Sequence, residues 1–248
     1  MSLKNHFDVA SKSEGVGLIL FYVVTVASAT LVLYPKPEIE SWLHPLLVVA
    51  AFLAVGCTIV TNIYQTQGNH LLRAAQLSDA LGATVGERIR VGYYNNPLSP
   101  SLQRLAVTTL ENTFFSSKIV SIMLYKKRLK IVIYSCILLL LLTCRQSSTG
   151  WLLLLAQTLF SADLILSWLR MERFRYRINR VHDSLKQFFL QEGNIEKSNG
   201  MAIVLVAFTD YECAKDEAAF PFNSDLFDKM NPILSKQWED IKVQLNIK

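Results

Sequence analysis

The chain is poor in the residues that a disulfide framework, a zinc site or a familiar catalytic centre would need. Its four cysteines are scattered through 248 residues, and none forms a CxxC pair. Cys57 and Cys136 lie inside long apolar runs. That distribution argues against structural zinc and against disulfide stapling. The four histidines, His6, His44, His70 and His182, stand far apart. No Gly-x-Ser-x-Gly elbow and no Gly-Lys-Ser/Thr phosphate loop occurs, so the chain reads as a non-enzyme that needs no cofactor. Charged residues are also scarce, at 18%, while 51% of the chain is hydrophobic and mean hydropathy is +0.28. That balance reads as a small polytopic membrane protein rather than a large globular one. No internal repeat or low-complexity tract appears.

What is present instead is a set of four apolar runs, at 17–33, 43–61, 131–143 and 151–169. A helix needs ~20 apolar residues to cross a bilayer, with ~17 as the lower limit. The first, second and fourth runs reach that directly. The third is short, and its helix is expected to begin in the cluster Lys126, Lys127, Arg128 and Lys130, whose long side chains can snorkel to lipid headgroups. No small-residue cleavage site follows the first run, so it is read as a crossing rather than a signal peptide. The expected fold is all-α, a four-transmembrane-helix membrane protein.

Positive charge is sorted in the same way. Of 25 Lys and Arg residues, nine fall between the second and third runs and twelve after the fourth. The short connections hold one each, Lys36 and Arg145. Cytoplasmic loops retain Lys and Arg. The expected organisation is a hairpin at 1–61, a cytoplasmic segment at 62–130, a second hairpin at 131–169 and a cytoplasmic C-terminal segment at 170–248. Both termini would be cytoplasmic, with the chain placed in a bacterial inner membrane.

Within 62–130, Leu71, Leu72, Ala75, Ser78 and Leu81 share one helix face, and Gly82 and Gly86 interrupt it. The tract from Val91 to Pro100 is dense in turn residues and predicts a defined loop. Ser99 is expected to cap a second helix with Pro100 at its first position, running to about Phe115. Beyond Leu169, a stripe of Phe174, Ile178, Val181, Leu185 and Phe188 lies beside a basic stripe of Arg170, Arg173, Arg177 and Arg180. One helix over 151–191 would be ~60 Å long. Residues 192–200 break it. A packed helix is expected to start at Met201 and continue through Tyr211 and Ala218, a loop over 220–232, and a last helix over 234–245 carrying Trp238.

Two groups of residues are candidate sites. Arg73, Arg88, Arg90, Arg104 and Lys118 accompany Tyr93, Tyr94, Asn95 and Asn96. Arginine forks bind phosphate, tyrosines stack on bases and asparagines read base edges, so Arg73, Arg88, Arg90, Tyr93, Tyr94, Asn95, Asn96 and Arg104 suit a small nucleotide or oligonucleotide. Attraction to anionic lipid, with helix-packing salt bridges to Asp79, Glu87 and Glu111, explains the same charges. In the fourth run, Gln157, Ser161 and Leu164 share one face and Asp163 lies on the next. A carboxylate in a bilayer costs ~3 kcal/mol and usually faces protein or water. These four residues therefore line a pore, or else Asp163 pairs with an arginine such as Arg170. Arg177 and His182 have the Arg-x4-His spacing of some helical ribonucleases. In so arginine-rich a helix, with apolar Ile178 after the arginine, that match is expected by chance. Thr25, Ser28, Thr30, Thr58 and Thr61 read as helix-packing groups.

The words Leu71-Leu-Arg-Ala, Gly92-Tyr-Tyr-Asn-Asn, Arg104-Leu-Ala and Glu111-Asn-Thr-Phe-Phe resemble the inner segment of bacterial four-transmembrane effectors. These include the SMODS-associated four-transmembrane effectors and the similar membrane effector of the Hailong system. Tyr211-Glu-Cys, Phe220, Leu226-Phe, Leu234-Ser and Trp238-Glu-Asp-Ile-Lys resemble their C-terminal portion. The likeness implies a pore-forming toxin of abortive infection in antiviral defence. It would be a homo-oligomeric ion channel, a tetramer being favoured, with a nucleotidyltransferase as functional partner. The ligand would be a small oligonucleotide or cyclic nucleotide, which shuts the pore in one arrangement and opens it in the other.

Overall fold

The computed structural model describes residues 3–34, 36–83, 96, 98–143, 165–191, 195, 198–220 and 223–247. They form α1 (Leu3–Leu33), α2 (Pro37–Leu81), α3 (Leu102–Thr143), α4 (Ser167–Leu190), α5 (Ser198–Ala218) and α6 (Ser224–Gln244), with no strand among the described residues. Two compact units emerge. Unit 1 comprises 1–65 and 124–169, and unit 2 comprises 66–123 and 170–248. α2 and α3 each run from one unit into the other without a break.

In unit 1, two helices are long and apolar enough to cross a membrane, one over Asn5–Leu31 and the other within Pro37–Leu81. Their large apolar side chains point outward: Ile19 is 64% exposed, Phe52 74% and Trp42 82%. The two helices meet through small residues. Ser13 Oγ donates to the Cys57 carbonyl at 2.9 Å, Thr61 Oγ1 donates to the Ala10 carbonyl at 3.4 Å, and His6 lies 5.7 Å from Tyr64. A Cβ on Gly17 would come within 3.3 Å of Cys57 Cβ. Ala10, Ser13 and Gly17 thus let the backbones approach, as small residues do between apolar helices. Of the threonines expected to pack helices, only Thr61 reaches across. Thr25, Thr30 and Thr58 donate to carbonyls four residues back in their own helix. Most of the fourth apolar run, at 151–164, lies outside the described residues, and with it the first third of the expected 151–191 helix and the candidate pore residues Gln157, Ser161, Asp163 and Leu164.

Unit 2 has a conventional core. The expected stripe on α4 is buried at Phe174, Ile178, Val181, Leu185 and Phe188, joined by Met171. α3 buries Leu105, Ala106, Leu110 and Phe114, α5 buries Val204, Phe208, Tyr211 and Ala214, and α6 buries Leu234 and Trp238. Trp238 stacks on Phe114 with ring centroids 6.3 Å apart. Each such large side chain contributes ~1.5–3 kcal/mol by burial.

Four boundaries differ from the sequence reading, the simplest being that α5 starts at Ser198, three residues before the expected Met201. α2 ends at Gly82 as expected, because φ there is +67°, open to glycine and strained for other residues. The cap of α3, however, is Ser101 rather than Ser99. Ser101 Oγ accepts from the Arg104 N–H at 3.2 Å, and the Ser101 N–H donates to the Ala80 carbonyl at 2.8 Å. α3 also does not stop near Phe115. No glycine or proline occurs between Leu102 and Thr143, and the serines just past Phe115 have partners: Ser116 with Tyr211 at 3.2 Å and Ser117 with Asn179 at 2.6 Å. Finally, 220–232 is not a loop throughout. α6 starts at Ser224, capped by Asn223, whose side chain accepts from the Leu226 N–H at 2.8 Å. Pro232 sits inside α6 on an exposed face, where water can satisfy the carbonyl four residues back that proline leaves without a donor.

Candidate functional site

Three of the eight candidate ligand residues, Arg73, Asn96 and Arg104, are described, and all are in unit 2. Arg73, near the C-terminal end of α2, turns toward α5. Its Nε donates to Glu212 at 3.2 Å and its Nη2 pairs with Asp216. Burial alone would lower the Arg73 pKa, but its hydrogen bonds to Asp216 and Glu212 outweigh this and raise it. Glu212 also accepts from Lys215 Nζ at 2.9 and 3.0 Å. Its side chain is only 3% exposed, so two cations compensate one sequestered carboxylate.

Asn96 and Arg104 are brought together. Asn96 Nδ2 donates to the Arg104 carbonyl and to Thr108 Oγ1, both at 3.3 Å, and its Oδ1 accepts from the Leu98 N–H at 3.1 Å. Arg104 donates through Nη2 to both oxygens of Asp79 at 2.9 Å and through Nη1 to the Leu98 carbonyl at 2.8 Å. This is the helix-packing role weighed against nucleotide binding for Asp79. Arg73, Asn96 and Arg104 are therefore engaged with the protein itself. Arg88, Arg90, Tyr93, Tyr94 and Asn95 lie outside the described residues.

Two further titratable groups lie here, Glu111 buried and His182 half-buried. Burial pushes the Glu111 carboxyl up to about 7, with Glu239 adding to the shift and Lys242 opposing it. His182 is held below its ordinary value chiefly by burial, with Asp183 opposing. Its Nδ1 is 3.4 Å from Thr113 Oγ1, and its ring is 6.2 Å from Phe114. Arg177 instead pairs with Glu217 at 2.7 Å. Arg177 and His182 thus serve different helices and share no partner among the described contacts.

The surface between α4 and α5 carries two openings that sequence reasoning passed over. A groove of about 460 Å³ is lined by Val181, Ala202, Ile203, Val206 and Ala207, with Arg180, Ser184 and Asp210 as its polar groups. A cleft of about 50 Å³ is lined by Arg170, Arg173, Phe174, Arg177, Ala214, Glu217 and Ala218. The available signal was the three-then-four spacing of the arginines, together with alanines four residues apart on α5. Among family models, curated proteins and solved structures, none matches this chain.

Proposed function

We propose that the chain is an oligomeric ion channel of the bacterial inner membrane that acts in anti-phage defence. In this reading it crosses the bilayer four times, with both termini cytoplasmic, and a nucleotide or oligonucleotide messenger from a partner nucleotidyltransferase controls it. The observation that carries the reading is the continuity of α2 and α3. Each passes without interruption from outward-facing apolar side chains in unit 1 to a buried, ion-paired core in unit 2. A ligand that binds one arrangement of unit 2 better than another shifts the population of that arrangement. Two unbroken helices give such a shift a mechanical route into the apolar unit. The messenger would be received by Arg88, Arg90, Tyr93, Tyr94 and Asn95, and the pore face would be Gln157, Ser161, Asp163 and Leu164.

A second reading, a membrane anchor that recruits a soluble partner, is favoured by the internal engagement of Arg73, Asn96 and Arg104. Those three residues then hold helices together and leave less to contact a nucleotide. Reconstitution separates the two. Purified protein in liposomes should conduct ions, and a cyclic dinucleotide or a short deoxyadenylate oligomer should change that conductance. A monomeric mass in detergent, together with silent liposomes under every ligand, would overturn the channel reading and leave the anchor.

A further inference from the structure

Arg170, Arg173 and Arg177 lie three and four residues apart on α4, so they occupy one helix face. Opposite them α5 presents Ala214 and Ala218, one turn apart, and the short side chains leave the cleft of about 50 Å³ open. Larger residues at either position would fill it. Three guanidinium charges meet one carboxylate there, leaving a surplus of two positive charges among the cleft's own residues. Glu217 is shared between Arg173 at 3.2 Å and Arg177 at 2.7 Å, and its side chain is half exposed, so neither pair is strong. Arg170 has no ion-pair partner among the described residues.

A solvated basic face is the plainest account of such a cluster. It fits Arg173, whose side chain is 72% exposed. It does not fit Arg170 Nε and Arg177 Nη1, which are shut off from solvent yet find no aligned hydrogen-bond acceptor. Arg177 Nη1 touches Glu217 closely, but not in line for a hydrogen bond. Buried donors left unsatisfied are costly, more so when charged. An acceptor bearing several oxygens and negative charge would relieve both.

We propose that this cleft binds a single phosphate group, with Arg170 and Arg177 as the inner donors and Arg173 closing over it from solvent. The guanidinium fork matches phosphate oxygens in geometry and charge. Glu217 is the built-in competitor, because it holds the same arginines when no phosphate does. The site lies one residue beyond the apolar run at 151–169, so a phospholipid headgroup or a soluble phosphate compound could present the group. The site lies wholly within unit 2 and does not depend on the chain conducting ions.

The test uses the full chain in neutral detergent, with inorganic phosphate titrated at constant ionic strength and the thermal midpoint read. Constant ionic strength removes general screening. Arg170→Gln should need about tenfold more phosphate for the same shift, the size expected for one charged hydrogen bond. Glu217→Gln should need severalfold less. Arg173→Gln, in an exposed side chain that cannot compromise folding, should fall between Arg170→Gln and the wild type. Phosphate that stabilises wild type and Arg170→Gln equally acts only as a general salt, and that result would overturn the site, as would no stabilisation beyond chloride. Repeating the titration in nanodiscs identifies the source. Loss of the phosphate response in phosphatidylglycerol discs, but not in phosphatidylcholine discs, assigns the site to an anionic headgroup. A response retained in both assigns it to a soluble ligand.

Discussion

Phe52 and Trp238 are both large apolar residues on helices, yet one is 74% exposed and the other 1%. That contrast runs through the two units. In unit 1 the most apolar helices turn their aromatic and branched side chains outward and touch through Ala10, Ser13 and Gly17. In unit 2 the helices are more polar on average, and they bury their large residues against one another. The difference shows that hydrophobicity does not by itself create a core. Where the surrounding medium is as apolar as the side chain, burial brings nothing, and close backbone approach takes over.

The sharpest way to break this comparison is thiol labelling in proteoliposomes, in a background carrying Cys57→Ser and Cys144→Ser. Cys136 and Cys213 are both exposed by geometry, in unit 1 and unit 2 respectively. A water-soluble maleimide given access to both faces should label Cys213 nearly fully and Cys136 hardly at all, because an apolar medium keeps a thiol protonated. Equal labelling would mean that water, not lipid, covers unit 1.

Next in size is a pair of truncations. Trp238→Ala should cost ~3–5 kcal/mol, as large cavities in a core do. It should release α6 to limited proteolysis. Phe52→Ala should change the unfolding free energy in detergent by less than ~0.5 kcal/mol, the usual range for an exposed position. Glu212→Gln follows at about 3 kcal/mol, since it leaves Arg73 and Lys215 facing each other without the buried carboxylate. Thermal unfolding at two salt concentrations measures it, and a salt-insensitive loss marks the pair as buried.

The smallest effect separates the units by pH. Glu111 titrates near 4.5 when unfolded and about 7 when folded. Between those values the folded chain holds a proton that the unfolded chain releases, so stability falls as pH rises from about 4.5 to about 7 and then levels off. Glu111→Gln should remove that decline, raising stability at pH 8 by ~1–3 kcal/mol relative to wild type. His182 acts in the opposite sense. Its folded value lies below 6.5, so its contribution is complete above 6.5 and is lost as pH falls toward the folded value. A Glu111→Gln curve that runs parallel to the wild-type curve from pH 5 to 8 would show that Glu111 is not buried as described.

Local chemistry made part of this legible in the sequence. The buried stripe of α4 follows from helical spacing, the stop of α2 from Gly82, and the two candidate membrane helices from run length and composition. Asp79 is legible as a helix-packing partner for the cations of the inner segment, and the structure shows Arg104 to be the one it pairs with. What was hidden depends on distant partners. Arg73 reads as a free cation until Glu212, 139 residues away, is placed against it. The continuation of α3 past Phe115 is hidden until Tyr211 and Asn179 engage the hydroxyls of Ser116 and Ser117. Pro232 reads as a loop signal because the sequence does not reveal that it faces outward. Arg170, Arg173 and Arg177 were visible as a basic stripe, but only the alanines of another helix turn that stripe into a cleft.

The unbroken course of α3 has a consequence for its length. Leu124 is the last buried side chain of α3 among the described residues, and Tyr125, Lys126 and Arg128 to Lys130 are exposed, yet the backbone passes this point without a joint. Each residue in an α-helix advances the phase by about 100°. One residue inserted at that boundary would turn every downstream side chain through that angle relative to the upstream core. No glycine or proline hinge lies along α3 to absorb the error. Substitution should therefore be tolerated along the distal half far better than insertion or deletion.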